Sequence, residues 1–494
     1  MPGNNRTFRT ATIAVTFSVA MLAVTGGDAV KAAQGGVSAI SAADKAQGAQ
    51  ANPALLAEFG GRMTGAQATY VEGVGKTIAL QSGLGNARSD FTIALLNSPV
   101  NNAFAIPGGY VYVTRQLTAL MNNEAELAGV LGHEVGHVAA RHSAKRQKAA
   151  TRNSIFGALG SILSGALLGD GAFGQLGQRV FSQGSQLLTL KFSRTQELEA
   201  DGLGISYLRR AGYDPRAMST VLESLARQTA LDAQLRGSSS EVPAWASTHP
   251  DPASRVRDAL RTAGAGASGM TNRDAFLSGI NGLVYGDDPK QGIVEGRTFK
   301  HPDLRLAFEA PAGFALVNGT ASVSITGQSG KAEFASARYD GNLDRYVAAV
   351  FASLTGSGQN SIAVPTLQST TVNGIPVLYG VTQAQGSSGL LDVTVFAYDF
   401  GGGKAYHFVS ITQAGSAGAF NSMFRSMRRL SASEAGSVKA RKLNVVVVKQ
   451  GDTVRSLASR MAYSDAQLER FLVLNGLQAD ARVEPGQKVK IVTY

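Results

Sequence analysis

The stretch "ELAGVLGHEVGHVAARHSAKR", residues 126–146, holds three of the six histidines of this 494-residue chain. His133, Glu134 and His137 form the pattern H-E-x-x-H. On an α-helix, positions i and i+4 lie on one face, so both imidazoles can bind one metal ion, while Glu134 is rotated by about 100° from His133. The pattern predicts a site where the ion lowers the pKa of a bound water and Glu134 accepts its proton.

A second stretch, "SRTQELEADGLG" at residues 193–204, offers further carboxylates on a predicted helix running from about 181 to 211. Glu197 and Asp201 are four residues apart and share a face, whereas Glu199 lies about 200° around from Glu197. A catalytic zinc takes three protein ligands and keeps one open position. We therefore expect Glu197 to be the third ligand and Asp201 to hold the far N–H of a ligand histidine.

These motifs, together with "NAFAIPGGYVYVTRQL" at residues 102–117, resemble the HtpX/BepA-type gluzincin metallopeptidases, whose relatives include the CAAX prenyl protease. The resemblance covers roughly residues 62–260. It implies a single Zn²⁺ ion bound by His133, His137 and Glu197, with the glutamate of H-E-x-x-H acting as general base.

The same resemblance implies that residues 102–109 lead into the strand edge that receives substrate. An extended peptide that pairs with an open sheet edge is held by main-chain hydrogen bonds and needs little sequence specificity. The alternative is that the glycines of this segment only form a tight turn. The residues implied in substrate binding are Asn102, Ala103, Phe104, Gly108 and Gly109.

"STHPDPASR", residues 247–255, also matches the family and implies that His249 lies near the metal. His249 would either stabilise the oxyanion of the tetrahedral intermediate or act as a fourth ligand that swings away on activation. Arg255 would pair with Asp201 or with a substrate carbonyl. His142 follows the second ligand by five residues, which rotates it off the ligand face, so we expect it at the surface or behind the ligands.

The N-terminus has the composition of a signal peptide, residues 1–32. Arg6 and Arg9 precede the short apolar segment "ATIAVTFSVAMLAV", and cleavage would follow Ala32 or Ala29. The alternative is an uncleaved anchor. The chain has no cysteine, which excludes disulfides and thiolate metal sites. These features predict an exported protein of a bacterial envelope, in the periplasm or associated with a membrane.

The tail "VVVKQGDTVRSLASRM…LERFLVLNGL…VEPGQKVKIV" reads as strand, helix, helix, strand and resembles a LysM module. Such modules bind N-acetylglucosamine polymers, which implies peptidoglycan as a partner; the alternative is a docking or stability domain. The net charge of +11 favours anionic neighbours, but no nucleic-acid motif is present, so we expect no nucleic-acid partner.

The expected fold is an α+β multidomain one, with a mainly helical zincin domain containing a small sheet, a middle α+β domain and a βααβ tail. Within the first domain, residues 154–180 would form a buried hairpin or a cover. The expected segments are a flexible lead-in at 33–61, the metallopeptidase domain at 62–265, a linker at 266–295, the α+β domain at 296–432, a linker at 433–443 and the LysM-like domain at 444–494.

The predicted function is that of a zinc endopeptidase of the bacterial envelope, acting on unfolded or misassembled envelope proteins. The outer-membrane assembly machinery is a further candidate partner. Two alternatives stay open at this point. One is a non-catalytic assembly factor or chaperone with a structural metal, and the other is a hydrolase of peptidoglycan peptides.

Overall fold

A computed structural model describes residues 39–145, 192–236, 249, 252–264, 266–354, 362–386 and 389–494. The predicted signal peptide, the segment 154–180 and the first part of the helix expected from 181 lie outside these residues. In the described part of the chain, no helix combines the length and apolar character needed to cross a membrane.

The first part of the fold is mainly helical. Its helices are α1 (Ala42–Glu58), α2 (Ala66–Ala79), α3 (Ala87–Asp90), α4 (Arg115–Leu120), α5 (Glu124–Ala139), α6 (Arg194–Arg210), α7 (Ala217–Arg236) and α8 (Pro252–Ala263). Its strands are β1 (Thr92–Leu96), β2 (Ala103–Ile106) and β3 (Tyr110–Thr114).

The three strands form a small sheet in the order β1-β3-β2, in which β3 is parallel to β1 and antiparallel to β2. Strand β2 is therefore at an edge. Because successive side chains of a strand point to opposite faces, Ala103 and Val113 join the core that contains α5, whereas Phe104 and Tyr112 face α1.

Helix α1 occupies most of the segment expected to be a flexible lead-in, and that expectation is wrong. Leu55 and Phe59 are buried against the outer face of the sheet. Gly48 allows the close approach, because a Cβ there would lie 2.0 Å from the carbonyl oxygen of Pro107. The helix is stabilised by this tertiary packing rather than by an apolar stripe of its own.

Both helix starts near the motifs are set by side-chain caps. Asn123 caps α5 and accepts a hydrogen bond from the backbone N–H of Glu126. Helix α6 begins at Arg194, so the expected start near 181 is wrong. Ser193 has extended backbone angles and forms a capping box with Gln196, so the helix starts at the next residue.

The middle domain contains a seven-stranded antiparallel sheet in the order β11-β12-β13-β14-β10-β9-β8 and a four-stranded sheet in the order β15-β7-β6-β5. One face of the large sheet packs on α10 (Leu343–Ser353), and the other packs on an aromatic core shared with the small sheet. The strands are β5 (Ile293–Glu295), β6 (Thr298–His301), β7 (Leu306–Glu309), β8 (Ala315–Asn318), β9 (Val323–Gly327), β10 (Gly330–Ser336), β11 (Gln368–Val372), β12 (Ile375–Gly386), β13 (Gly389–Gly401), β14 (Lys404–Gln413) and β15 (Arg428–Arg429).

The tail has the expected βααβ order and shares a core with the first domain. Its strands pair antiparallel, and a third strand, β4, comes from the segment expected to be a linker.

The linker expectation for 266–295 is wrong, because that segment also forms a helix, α9, whose Phe276 and Ile280 are buried. The remaining elements are β4 (Val284–Tyr285), α9 (Arg273–Ile280), α11 (Asn421–Ser426), α12 (Ala432–Ser437), β16 (Arg441–Val447), α13 (Val454–Ala458), α14 (Gln467–Leu474) and β17 (Lys488–Thr493).

The second expected linker, 433–443, is also wrong, since α12 and the start of β16 occupy it. The expected fold class is confirmed: a mainly helical domain with a small sheet, a middle α+β domain and a βααβ tail.

Candidate metal centre

Helices α5 and α6 pack very closely, and this contact brings the two motifs together. Glycines line both sides of it. A Cβ on Gly204 would lie 3.0 Å from the backbone nitrogen of His133, and one on Gly136 would lie 3.2 Å from the carbonyl oxygen of Ala200. Small residues at the crossing therefore allow a carboxylate on α6 to reach the imidazoles on α5.

Four buried side chains converge at this crossing: His133, His137, Glu197 and His249. Each offers one ligand atom, and these atoms all lie within 4.8 Å of one another. The Nε2 atoms of His133 and His137 are 3.0 Å apart, and each lies 3.5 Å from an oxygen of Glu197. Tetrahedral zinc with ligands at about 2.0–2.1 Å separates them by about 3.4 Å. The residues therefore fit a zinc ion.

Asp201 and Arg255 hold the ligands from behind. His133 Nδ1 lies 2.8 Å from Asp201 Oδ1 and donates to it, since a carboxylate only accepts. Arg255 donates to both oxygens of Asp201, from Nε at 2.8 Å and from Nη2 at 2.6 Å. Its Nη1 lies 2.8 Å from Glu197 Oε2. The guanidinium thus ties the third candidate ligand to the carboxylate that orients the first.

The electrostatics favour a positive charge between these groups. Burial raises the pKa of Glu197, but the three histidines around it outweigh burial and hold its pKa well below the usual range. For Asp201, hydrogen bonds from Arg255 and His133 overcome burial and lower the pKa to about 2. Burial lowers the pKa of His133, yet Asp201 and Glu197 raise it overall to about 9. The ionised Glu197 therefore faces the point between the histidines, with the ionised Asp201 behind His133, and a proton or a divalent cation can supply compensating charge there.

Glu134 lies next to this group and is completely buried. Neither of its carboxylate oxygens has a hydrogen-bond partner among the described residues, and Oε1 lies 3.5 Å from His249 Nε2. Burial raises the pKa of Glu134, and the nearby His249 and His133 oppose that shift. An unpaired buried carboxylate is costly, so the position is suited to a group that accepts a proton rather than to a structural role.

His249 is fully buried between the candidate ligands and Glu134. Its Nδ1 lies 3.1 Å from Glu197 Oε2 and 3.3 Å from His133 Nε2. The structure thus brings together seven residues singled out from the sequence. They are His133, Glu134, His137, Glu197, Asp201, His249 and Arg255.

The residues expected to bind substrate have different environments. Ala103 lies in β2 on the face toward α5. The Asn102 side chain is buried, and its backbone N–H donates to Thr114 Oγ1. For Phe104 the expectation is wrong. Its ring packs between Phe59 and Tyr112 at centroid distances of 4.9 and 4.8 Å, on the face of the sheet away from the metal centre.

Gly108 and Gly109 form the turn between β2 and β3, with φ of 88° and 83°. A Cβ on Gly108 would lie 2.8 Å from the carbonyl oxygen of Asp44, and one on Gly109 would lie 2.5 Å from that of Asp90. The space that these glycines leave is therefore filled by the chain itself, which favours the tight-turn alternative.

Two further residues contact His137: Phe192, which the sequence reasoning missed, and His142, which it expected at the surface or behind the ligands. The Phe192 ring stacks on it at a centroid distance of 3.9 Å and an interplanar angle of 21°. His142 is buried behind the ligand, with its Nδ1 2.8 Å from His137 Nδ1. Arg141, which directly precedes His142, has φ of 56°. This left-handed residue after the end of α5 turns the chain back, so that His142 returns toward the helix. A helical wheel assumes a continuous helix and therefore cannot predict such a turn.

Comparisons with known proteins agree with this geometry. Residues 65–263 match peptidase family M48, and residues 446–492 match the LysM domain. The beta-barrel assembly-enhancing protease of Escherichia coli O157:H7 is 36% identical over 200 residues, which are 39% of this chain and 38% of that protein. The mitochondrial metalloendopeptidase OMA1 of Schizosaccharomyces pombe is 34% identical over 206 residues, covering 41% of this chain and 56% of that protein.

The corresponding protein of Arabidopsis thaliana, also a mitochondrial metalloendopeptidase OMA1, is 38% identical over 135 residues, covering 27% of this chain and 26% of that one. The chain thus spans about two fifths of the length of the beta-barrel assembly-enhancing protease. The expected resemblance is confirmed, because residues 65–263 match peptidase family M48 and residues 446–492 match the LysM domain.

Proposed function

We propose that this chain is a zinc-dependent endopeptidase. The observation that carries the proposal is the buried carboxylate of Glu134, which has no hydrogen-bond partner among the described residues and lies beside a group of three candidate ligands that fits zinc. When bound, the ion supplies Lewis-acid polarisation of a peptide carbonyl and lowers the pKa of water at the site. Glu134 would serve as general base and acid at this position, taking a proton from the attacking water and giving it to the leaving amine.

Asp201 and Arg255 prepare the site for this chemistry. The carboxylate fixes the N–H of His133 on Nδ1, so that Nε2 is the ring atom that would bind the ion. Arg255 neutralises part of the negative charge and holds Glu197 in place. A salt-bridged support of this kind keeps the ligands in the binding geometry before the ion arrives, which lowers the cost of ordering them.

We assign His249 to the fourth position in the resting enzyme. In support, its Nδ1 lies among the candidate ligand atoms, 3.1 Å from Glu197 Oε2. Substrate binding would then require the ring to move away. In the structure its Nε2 lies 3.5 Å from Glu134 Oε1. Once displaced, the ring would take the other role expected for His249, the stabilisation of the oxyanion.

Substrate would bind as an extended peptide along the open edge of β2. In support, β3 is the one strand that pairs with β2 in the described part of the chain, and a cleft lined by Ile40, Ala105, Pro107, His137 and Val138 runs from β2 to the metal centre. Main-chain pairing with Ala103 and Ala105 would position a scissile bond without demanding a particular sequence. Such tolerance suits unfolded proteins as substrates.

The substrates would be unfolded or misassembled proteins of a bacterial envelope, reached through the predicted signal peptide. One support is the name of a relative, the beta-barrel assembly-enhancing protease. The other is the LysM domain, which suits peptidoglycan as a partner. The outer-membrane assembly machinery is a candidate partner on the same ground.

Casein digestion by the purified chain tests the activity, with Glu134→Gln as the matched variant. We expect the variant to bind zinc as the wild type does and to lose about 10²–10⁴-fold in rate, which is what positioned proton transfer contributes. Equal rates in the two proteins would refute the endopeptidase and would favour an assembly factor with a structural metal. Digestion of wall peptides but not of casein would favour the peptidoglycan hydrolase.

A further inference from the structure

The two candidate histidine ligands on α5 are supported in different ways. His133 donates to the carboxylate of Asp201, whereas His137 has an imidazole behind it: its Nδ1 lies 2.8 Å from Nδ1 of His142. On its other side, His142 Nε2 lies 3.1 Å from Glu199 Oε2. The His142 side chain has no exposed surface, while the Glu199 side chain is 47% exposed.

The hydrogen bonds of this row have one consistent direction when a metal is bound. His137 Nε2 faces the metal centre, 3.0 Å from His133 Nε2 and 3.5 Å from Glu197 Oε1. A neutral imidazole that binds metal through Nε2 carries its hydrogen on Nδ1. That hydrogen is donated to His142 Nδ1, so His142 carries its own hydrogen on Nε2 and donates it to Glu199.

We propose that His142 and Glu199 are positioning residues that fix the tautomer and ring orientation of the zinc ligand His137. The inference rests on the proposed zinc site. Glu199 accepts from His142, which presents an unprotonated Nδ1 to His137, which in turn presents an unprotonated Nε2 to the ion. Neither positioning residue touches the metal or the substrate.

Two further features show that this row is a built support. Arg141, with φ of 56°, reverses the chain just after α5 and brings His142 under the ligand. Phe192 stacks on the His137 ring at 3.9 Å. The hydrogen bond controls rotation of the ring in its plane, and the stacking controls its tilt. Loss of a partner that orients a metal ligand typically weakens metal binding 10–100-fold.

The test measures the zinc affinity of the full chain by competition with a chelator, and the absorption spectrum of the Co²⁺-substituted protein. We expect His142→Ala to weaken zinc binding 10–100-fold and to change the Co²⁺ spectrum. The amide oxygen of Asn lies close to where Nδ1 of histidine lies, so His142→Asn still accepts from His137. It should restore the affinity to within about threefold of wild type.

Matched variants separate positioning from general damage. His407→Ala removes another buried histidine, which contacts Tyr346 in the middle domain, and should leave zinc affinity unchanged. Glu199→Gln keeps an acceptor oxygen and should behave as wild type, whereas Glu199→Ala should weaken zinc binding about 3–10-fold. Because Glu199 is half-exposed, this last variant is informative even if His142→Ala does not fold.

Wild-type zinc affinity in both His142→Ala and Glu199→Ala would overturn the inference. Equal losses in His142→Ala and His142→Asn would overturn it as well, because they would show a packing role alone. A wild-type chain that binds no zinc would instead refute the proposed function, so the two failures are distinguishable.

Discussion

Lys490 in the last strand of the tail donates to the backbone carbonyl of Met121 in the peptidase domain, at 2.6 Å. Its Nζ also reaches the carbonyl oxygens of Ala119 and Leu120, at 2.8 and 3.2 Å. The side chain is wholly buried, and burial lowers its pKa to about 7. The tail is therefore docked by a cation placed at the C-terminal end of α4, where the helix dipole and the unpaired carbonyls favour positive charge.

Replacement of this lysine should loosen the docked tail. Lys490→Met keeps the apolar stem but leaves three buried carbonyls without their donor, so we expect a loss of about 2–4 kcal/mol in the free energy of unfolding. Urea unfolding followed by circular dichroism measures it. Lys488→Met is the control, because Lys488 lies in the same strand but pairs with the exposed Asp274. That change should stay within about 0.5 kcal/mol, and equal effects of the two variants would contradict the docking role.

Removal of the carboxylate behind His133 should weaken metal binding. Asp201→Ala deletes the acceptor for His133 Nδ1 and leaves Arg255 with only part of its partners, so we expect zinc affinity to fall 10–100-fold. Chelator competition measures the change. Asp258→Asn, at an exposed ion pair with Arg261, serves as the control and should leave the affinity as it is. A wild-type affinity in Asp201→Ala would show that His133 needs no such support.

The unpaired Glu134 should make the metal-free protein less stable as pH rises. Its folded pKa is raised by burial, so the folded state favours the protonated acid. In the unfolded chain the pKa is about 4.3, so above that pH the unfolded state loses its proton first and gains stability relative to the fold. Glu134→Gln should therefore raise the melting temperature of chelator-treated protein by a few degrees at pH 7.

Below about pH 4 both states of the wild type are protonated, and this advantage of Glu134→Gln should vanish. Differential scanning fluorimetry of both proteins between about pH 3 and pH 8 gives the comparison. A gain that is the same at every pH would point to packing rather than to charge as its cause.

The docking of α1 can be tested at a glycine. Gly48→Ala would place a methyl group 2.0 Å from the carbonyl oxygen of Pro107, so α1 must shift and the protein should lose about 1–3 kcal/mol despite the better helix propensity of alanine. Gly73 in α2 is exposed and has nothing within 4 Å of its Cβ position. Gly73→Ala should therefore stabilise the chain by up to about 1 kcal/mol. Thermal unfolding of both proteins decides the matter, and a neutral Gly48→Ala would mean that α1 is held loosely.

The metal centre could be predicted from sequence wherever an intact helix determines direction. The 100° step between residues places His133 and His137 on one face of α5 and separates Glu197 from Glu199 on α6, and the structure agrees. This 100° rotation no longer predicts side-chain direction once the helix ends. Arg141 adopts a left-handed conformation, so His142 returns to the ligands although a continued helix would carry it away.

Tertiary packing accounts for the other errors. The pleat of β2 places Phe104 and Ala103 on opposite faces, but which face is toward the metal depends on where α1 lies. The sequence of α1 is rich in Ala, Gly and Gln and has no strong apolar stripe, so its helix is not evident until Leu55 is seen packed against the sheet. Local propensity carries little of that information.

The pairing of β4 with β16 has a consequence for how the chain is assembled. Tyr285 lies opposite Arg441, and paired strands are about 5 Å apart, so the polypeptide leaves this point and comes back to it after building the entire middle domain. A short loop between these two positions could close the gap. The middle domain is thus an insertion into one continuous unit, which the first domain and the tail form together.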